Sequence, residues 1–270
     1  MRLKKIHEIK VNLQGKQYSG TQTPLVSEDG RIWCSTRDSQ NRTSMLFLGR
    51  IMHDLSIDMI GSNILDFTGK PGTAWSQGTM PSFASDKEMF FTGWNLGGDN
   101  ESSSKNCMCY MDLGTNKIKV LLERDSNDIG CSMPTIQKNT LYYMSFQAWK
   151  NKEALYSIRQ CGIYFDTTGK ERYVLRNFKD VISGGFCYAR PVPFKDSIFC
   201  CFREFGKRNY KGMVLTKYHD QWLPTVLECE DSIVAYPYPF QLTNDDKVYC
   251  LYNNDESLRG NIQIAEVIYD

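Results

Sequence analysis

Short apolar runs bounded by turn residues recur along the whole chain. In the run at residues 32–38 an apolar residue is followed by an aromatic one, and the run ends on the charged pair Arg37-Asp38. The same arrangement returns at residues 89–95, 141–147, 198–204 and 248–254. Apolar runs of this length between turn signals predict β-strands, and their regular return predicts a structure built from repeats.

A proline precedes each of these runs and marks the start of each repeat. These prolines are Pro24, Pro81, Pro134, Pro191 and the pair Pro237 and Pro239. Further strand-like runs follow within a repeat, at residues 44–48 and 56–60 in the first and at 212–217 and 222–227 in the fourth. Four strands in a repeat of roughly 50 residues are typical of one blade of a β-propeller.

The repeats therefore predict an all-β fold, a five-bladed β-propeller made of four-stranded antiparallel blades. The fifth repeat lacks a last strand, because the sequence ends soon after the apolar run at residues 262–267. Residues 6–12 alternate like a strand but have no blade of their own. We expect them to pair with the last blade and close the ring, which would make residues 1–270 one domain without exposed sheet edges.

Composition narrows the classes of partner. Charged residues make up 23% of the chain and the net charge is +1, which does not favour binding to nucleic acid or to an anionic membrane surface. No apolar run is long enough to span a bilayer and no signal peptide is recognisable, so we expect a cytoplasmic protein. The ten cysteines lie mostly in apolar runs and predict buried free thiols. The sequence does not predict an oligomeric state.

Histidines and glycines do not form a recognisable cofactor site. His7, His53 and His219 lack metal-ligand spacing, and residues 93–98 match no phosphate-binding loop. We therefore expect no metal ion and no cofactor.

Several stretches, together with the proline before each inner strand, resemble a known family. They are residues 35–42, 92–95, 189–191, 236–240 and 251–254. The chain resembles the five-bladed β-propeller superfamily of arabinanases, invertases, levansucrases and sugar phosphorylases, and within it uncharacterised bacterial propellers from polysaccharide-assembly clusters. The resemblance covers nearly the whole chain and implies a carbohydrate-active protein with a place in polysaccharide biosynthesis.

One departure from that family concerns the residues before the prolines. Hydrolases of this superfamily usually place carboxylates on the inner strands, often next to a proline. The matching positions here hold Thr23, Met80, Met133, Arg190 and Tyr236, none of which is acidic. The three-carboxylate mechanism that the resemblance implies therefore lacks its usual residues.

Equivalent positions of every blade converge on one pocket in a propeller. The polar residues that end the repeated runs are therefore expected to form a ring: Asp38, Asn95, Gln147, Glu204 and Asn254. Only Asp38 and Glu204 are acidic, and two carboxylates are the minimum for glycosidic bond chemistry. The alternative is that both carboxylates pair with neighbouring arginines and only fix the loops.

Arginines and aromatic residues near the same strand ends are candidates for ligand binding. Arg37, Arg190 and Arg203 suit bidentate binding of a carboxylate or phosphate, which suggests an anionic sugar, a sugar phosphate or a nucleotide sugar. Each arginine could instead neutralise a neighbouring carboxylate. Trp94 and Tyr236 could stack on a sugar ring, and packing between blades is the alternative explanation.

Two functions follow from these residues. The first is a glycosidase-like enzyme that cleaves or transfers a glycosyl group, with Glu204 as general acid and Asp38 as base or electrostatic stabiliser. The arginines would hold an anionic group of the substrate. The second is a non-catalytic glycan-binding or polysaccharide-assembly protein that keeps the pocket without the chemistry.

Overall fold

The described part of the chain consists of β-strands and the turns between them. The computed structural model describes residues 1–9, 18–26, 30–38, 43–58, 64–66, 79–85, 87–95, 105–112, 114–115, 117–122, 129–147, 156–168, 173–207, 209–242, 245–254 and 262–269. None of these residues lies in a helix, so the predicted all-β class is confirmed for them. The chain divides into two compact units, unit 1 (Met1–Thr68 and Phe194–Asp270) and unit 2 (Gly69–Pro193).

The strands of each unit follow the order of the sequence repeats. Unit 1 contains β1 (Arg2–Ile9), β2 (Tyr18–Val26), β3 (Arg31–Asp38), β4 (Thr43–Ile51), β5 (Ile57–Asp58), β6 (Ile64–Asp66), β16 (Ser197–Arg203), β17 (Lys211–Tyr218), β18 (Gln221–Cys229), β19 (Ala235–Phe240), β20 (Tyr249–Asn253) and β21 (Ile262–Ile268). Unit 2 contains β7 (Thr79–Ser85), β8 (Glu88–Asn95), β9 (Lys105–Asp112), β10 (Lys117–Leu122), β11 (Ile129–Gln137), β12 (Thr140–Gln147), β13 (Tyr156–Phe165), β14 (Tyr173–Ser183) and, up to the boundary, β15 (Cys187–Phe194).

Unit 2 shows the predicted four-stranded arrangement twice. One sheet has the order β10-β9-β8-β7 and the other has the order β11-β12-β13-β14. All pairs within them are antiparallel, and each sheet is formed by strands that are consecutive in sequence. Such local pairing needs only short connections, and the predicted runs at residues 89–95 and 141–147 coincide with β8 and β12.

Unit 1 contains the N-terminal strand and the last strands of the chain. The first repeat forms the ladder β2-β3-β4-β5, and β6 also pairs with β4. The ladder β19-β20-β21 continues onto β1, which pairs antiparallel with β21 and, through Arg2 and Leu3, parallel with β18. The N-terminal strand thus pairs with the last strand of the chain, although it begins at Arg2 and not at the expected residue 6, and residues 10–12 lie outside the described part.

A bulge in β1 lets this one strand contribute to two hydrophobic cores of unit 1. Leu3 packs in a core with Phe199, Val214 and Val267, whereas Ile9 packs in a second core with Ile32, Leu251 and Ile264. Residues 3 and 9 would point to the same face of a regular strand, because side chains alternate with period two. The register shift between Lys5 and His7 adds one residue and turns Ile9 to the other face.

Unit 2 has a core of its own, in which the sheets supply aromatic and sulfur-containing side chains. The buried members are Phe90, Met108, Tyr110, Cys131, Leu141, Tyr143 and Cys161. The cysteines whose side chains the structure describes are free thiols, and all of these except Cys229 are buried. They therefore act as small apolar core residues, as the sequence predicted.

We predict that Leu3→Ala lowers the free energy of unfolding by about 2–5 kcal/mol. Leu3 is buried in the core beside Val267, so the change removes buried apolar surface and leaves a cavity. Equilibrium unfolding in urea measures the change. Lys4→Ala is the matched control, since Lys4 is exposed on the same strand and its loss is expected to change stability by less than about 0.5 kcal/mol. Equal stability of the parent and Leu3→Ala would show that β1 does not support the core.

Candidate functional site

Each inner strand whose pairing is described has a bulge at the proline of its repeat. The register shifts lie between Gln22 and Leu25, Thr79 and Ser82, Ser132 and Thr135, and Ala235 and Tyr238. The skipped step is in every case the proline and the residue before it. Proline cannot donate an N–H to the ladder, so the ladder is interrupted there, and a bulge re-aims the side chains of its strand.

The residue before the proline has a left-handed backbone in three repeats. The φ angles are 57° at Met133, 43° at Arg190 and 54° at Tyr236. This conformation is uncommon for residues other than glycine and costs of order 1–3 kcal/mol, so it persists only where the surrounding structure enforces it. The family resemblance implies catalytic carboxylates at these positions. The residues before the prolines are therefore candidates for a functional site.

In unit 2 the bulge at Met133 is held by side chains of neighbouring strands. The backbone N–H of Met133 donates to Thr92 Oγ1 at 2.8 Å, and the N–H of Arg190 donates to Met133 Sδ at 3.2 Å. Thr135 Oγ1 also donates to the carbonyl oxygen of Pro191. Met133, Thr92 and Arg190 are all buried, and Arg190 is only 2% exposed. The backbone on both sides of these two prolines is therefore fixed by hydrogen bonds from outside its own ladder.

In unit 1 the bulge residue Tyr236 belongs to a group that we call the arginine–tyrosine cluster, formed by Arg203, Tyr210 and Tyr236. The ring centroids of Tyr210 and Tyr236 are 5.7 Å apart, and the guanidinium carbon of Arg203 lies 5.4 Å from the centroid of the Tyr210 ring. Arg203 Nη1 also donates to the carbonyl oxygen of Lys207 at 2.6 Å. The cation–π contact and this hydrogen bond hold the guanidinium in one place at the end of β16.

The environment of Tyr210 keeps its hydroxyl protonated. Burial raises the pKa of Tyr210, whereas hydrogen bonds with Tyr236 and Arg203 lower it by less. A neutral phenol can donate and accept a hydrogen bond, so the cluster offers a cation, two rings and neutral hydroxyl groups together. That combination suits a ligand with an anionic group beside a ring.

Glu204 directly follows Arg203 and is held by a local turn. The N–H of Lys207 donates to the Glu204 carbonyl oxygen at 3.1 Å, and Lys207 Nζ lies 2.5 Å from Glu204 Oε2. The hydrogen bond and charge of Lys207 lower the pKa of Glu204, whose side chain is 59% exposed. A general acid needs a raised pKa near neutral pH, so these surroundings favour the ionised form of Glu204.

The polar residues expected to form a ring all lie at or next to the end of the second strand of their repeat. Strands β3, β8 and β12 end at Asp38, Asn95 and Gln147, while Glu204 and Asn254 directly follow β16 and β20. The side chains of Arg37, Asp38, Trp94, Asn95 and Gln147 lie outside the described residues. The convergence of these side chains on one pocket therefore stays a prediction.

The structure brings together one group that sequence reasoning did not assemble. Arg203 and Tyr236 were candidates, but Tyr210, which contacts both, was not. The signal was an aromatic residue at the end of a polar loop, residues 204–210, directly before β17. Such a position is also compatible with ordinary packing, and only the contact with a bulge residue distinguishes it.

Neither a cluster of metal-binding side chains nor a membrane-spanning helix is present in the described ranges. Among them no group of three or more histidine, cysteine, aspartate or glutamate side chains could hold a metal ion. The described residues also include no helix that could cross a bilayer.

Comparison of sequences identifies no family for the chain, whereas comparison of structures identifies proteins with a similar fold. No family model and no curated protein match the sequence. The chain resembles an α-L-arabinofuranosidase from Lactobacillus brevis with a TM-score of 0.55 and 9% identity, over 95% of this chain and 93% of that one. An exo-1,5-α-L-arabinanase from a bovine ruminal metagenomic library gives 0.52 and 9%, over 95% of each chain.

A family 117 glycoside hydrolase, Zg3597 from Zobellia galactanivorans, is similar to the same degree. Its TM-score is 0.52 at 11% identity, over 100% of this chain and 92% of that one. These proteins are β-propeller glycosidases, so the fold class that the repeats and the resemblance predicted is confirmed at the level of a glycosidase-like propeller. At such low identity the likeness concerns the fold alone.

We predict that Thr92→Val lowers the free energy of unfolding by about 1–3 kcal/mol, because it leaves the buried N–H of Met133 without its acceptor while the side-chain volume is kept. Urea denaturation measures the loss. Thr225→Val is the control, since Thr225 is exposed on β18. A loss of the same size in both variants would mean that the bulge does not depend on Thr92.

Proposed function

We propose that this protein binds a saccharide that carries an anionic group and acts on its glycosidic bond, either by hydrolysis or by glycosyl transfer. The observation that carries the proposal is the arginine–tyrosine cluster beside Glu204, in a chain with the fold of glycoside hydrolases. Arg203 supplies the guanidinium for a carboxylate or phosphate, and the Tyr210 ring supplies an apolar face for the sugar.

Arg190 is proposed as a second residue for the anionic group. It occupies the position before Pro191 at which the resemblance expects a catalytic residue, and its backbone is fixed by the hydrogen bond to Met133 Sδ. Trp94, Asn95, Gln147, Asn254 and Arg37 are proposed to complete the binding residues, as the repeat alignment predicts.

The carboxylates Asp38 and Glu204 are proposed to carry the chemistry. The sequence favoured Glu204 as general acid, but the ion pair with Lys207 favours a carboxylate that stays ionised. We therefore propose the reverse roles. Asp38 donates a proton to the leaving oxygen, and Glu204 takes a proton from the water or sugar hydroxyl that attacks the anomeric carbon.

The remaining features of the sequence prediction are part of the same proposal. These are five blades, closure of the ring by β1, a single domain, a cytoplasmic place and a role in polysaccharide assembly. The pairing of β1 with β21 supports closure, because it uses the strand that the fifth repeat lacks.

A specific observation favours a second candidate, a non-catalytic saccharide-binding protein. The residues with a left-handed backbone, Met133, Arg190 and Tyr236, are not acidic, and the one candidate carboxylate whose side chain is described, that of Glu204, is exposed and paired with Lys207. Such a protein would keep the arginine–tyrosine cluster and lack turnover.

We predict that Glu204→Gln and Asp38→Asn each lower turnover of oligosaccharide or aryl glycoside substrates by about 10²–10⁴-fold, because each removes a proton-transfer group. Initial rates on a panel that includes uronic acid and sugar phosphate substrates measure this. Glu230→Gln, an exposed carboxylate elsewhere in unit 1, is the control and is expected to keep full activity. Saccharide binding that survives both changes, with no turnover in the parent, would select the second candidate.

We predict that Arg203→Ala weakens binding of an oligogalacturonate by about tenfold or more, since a charge-assisted hydrogen-bonded pair is lost, and leaves binding of the neutral oligogalactan unchanged. Isothermal titration calorimetry gives both dissociation constants. Arg203→Lys is expected to recover the charge without the bidentate geometry and to bind with intermediate affinity. Arg50→Ala at the exposed end of β4 is the control. Equal loss for both oligosaccharides would refute an anion-binding role for Arg203.

A further inference from the structure

The outer strand pair of the third repeat, β13 and β14, presents an exposed tyrosine in an unusual position. Tyr164 is 44% exposed, and it lies on the face of β13 opposite to Cys161 and Ile163, which pack in the core of unit 2. Its exposure is therefore not a consequence of imperfect core packing. The contacts around it decide whether the ring is mobile or fixed.

Gly162 allows the Tyr164 side chain to lie along the strand. A Cβ atom on Gly162 would be 2.6 Å from Tyr164 Cε2 and 2.9 Å from Tyr164 Oη, so the ring would have to shift to admit it. Gly162 and Tyr164 are two residues apart and so share one face of β13. The distal half of the ring thus lies directly on the Gly162 backbone, with its other side towards solvent.

Asn177 fixes the far end of the same side chain. Asn177 Nδ2 donates to Tyr164 Oη at 2.8 Å. Asn177 has a φ of 60° and lies in the bulge of β14, where the register shifts between Gln160 and Gly162. Asparagine tolerates this left-handed conformation better than most residues, and the bulge is what aims its amide at the tyrosine. The hydroxyl end of the ring is therefore fixed by a hydrogen bond and by its position over Gly162 before any ligand arrives.

Positive side chains flank the ring. Arg176 is the cross-strand partner of Gly162 and Lys179 is the partner of Gln160, so both lie on the face that carries Tyr164. Both are exposed. The nearby Arg159 is neutralised by Asp180 at 2.8 Å, whereas within the described residues neither Arg176 nor Lys179 forms an ion pair. Two exposed positive side chains thus lie on the face that carries the ring.

We propose that Tyr164 is a stacking platform for a polysaccharide that carries carboxylate groups, with Arg176 binding a carboxylate of the sugar next to the ring. A preorganised ring loses little conformational freedom on binding, which is the advantage that stacking sites use. The surface offered by one ring and two cations is much smaller than the roughly 800 Å² that each partner buries in a protein–protein interface. A sugar chain therefore fits this surface better than a protein does. The platform lies on β13 and β14 of unit 2 and does not rest on the proposed function.

The test measures binding of polygalacturonate and of neutral dextran by affinity gel electrophoresis. Three variants separate the ring from its support: Tyr164→Ala removes the ring, Tyr164→Phe keeps it without the hydroxyl, and Gly162→Ala keeps every polar group but displaces the ring. Tyr218→Ala is the matched control, since Tyr218 is 63% exposed on β17 of unit 1. Repeating the series in the Arg203→Ala chain separates this platform from the arginine–tyrosine cluster.

The expected result is a roughly tenfold weaker binding of polygalacturonate in Tyr164→Ala and in Gly162→Ala, with Tyr164→Phe within about threefold of the parent and Tyr218→Ala unchanged. Arg176→Ala is expected to weaken binding at low salt and to have a smaller effect at high salt. Melting curves establish that each variant is folded. Equal affinity of the parent and Tyr164→Ala would refute a stacking role for Tyr164. Equal affinity of the parent and Arg176→Ala would refute the binding of a carboxylate by Arg176.

Discussion

The missing N–H of proline is the constraint from which much of this structure follows. A strand that reaches a proline cannot continue its ladder of hydrogen bonds, and the described inner strands form a bulge at that step. The preceding residue adopts a left-handed backbone at Met133, Arg190 and Tyr236. At these three positions one side chain departs from the alternation of its strand, and in each case the backbone is left-handed.

The three residues with this left-handed backbone have chemically different side chains. The sulfur of Met133 accepts a hydrogen bond from the backbone N–H of Arg190. Arg190 itself is buried, and Tyr236 packs against Tyr210. The left-handed backbone therefore recurs at these positions while the side chains on it differ. This is why the likeness in fold leaves the chemistry to be argued from residues such as Arg203 and Glu204.

Features that depend on neighbouring residues in sequence could be predicted, and features that depend on distant contacts could not. The pattern of apolar, aromatic and turn residues predicted the second strand of the third repeat at residues 141–147, since antiparallel neighbours need only short loops. The bulge between Lys5 and His7 leaves no such signal, because it is selected by the two cores that Leu3 and Ile9 fill. Likewise the pairing of Glu204 with Lys207 depends on a turn whose geometry sequence does not show.

The composition of unit 1 has a consequence for the order of events during synthesis. Its residues come from both ends of the chain, Met1–Thr68 and Phe194–Asp270, whereas unit 2 is continuous. Strands β1 and β21 come from the two different segments of unit 1, so they pair only after the whole of unit 2 has been synthesised. Unit 2 is continuous and its two complete sheets pair strands that are consecutive in sequence, so these local pairs can form before β1 pairs with β21.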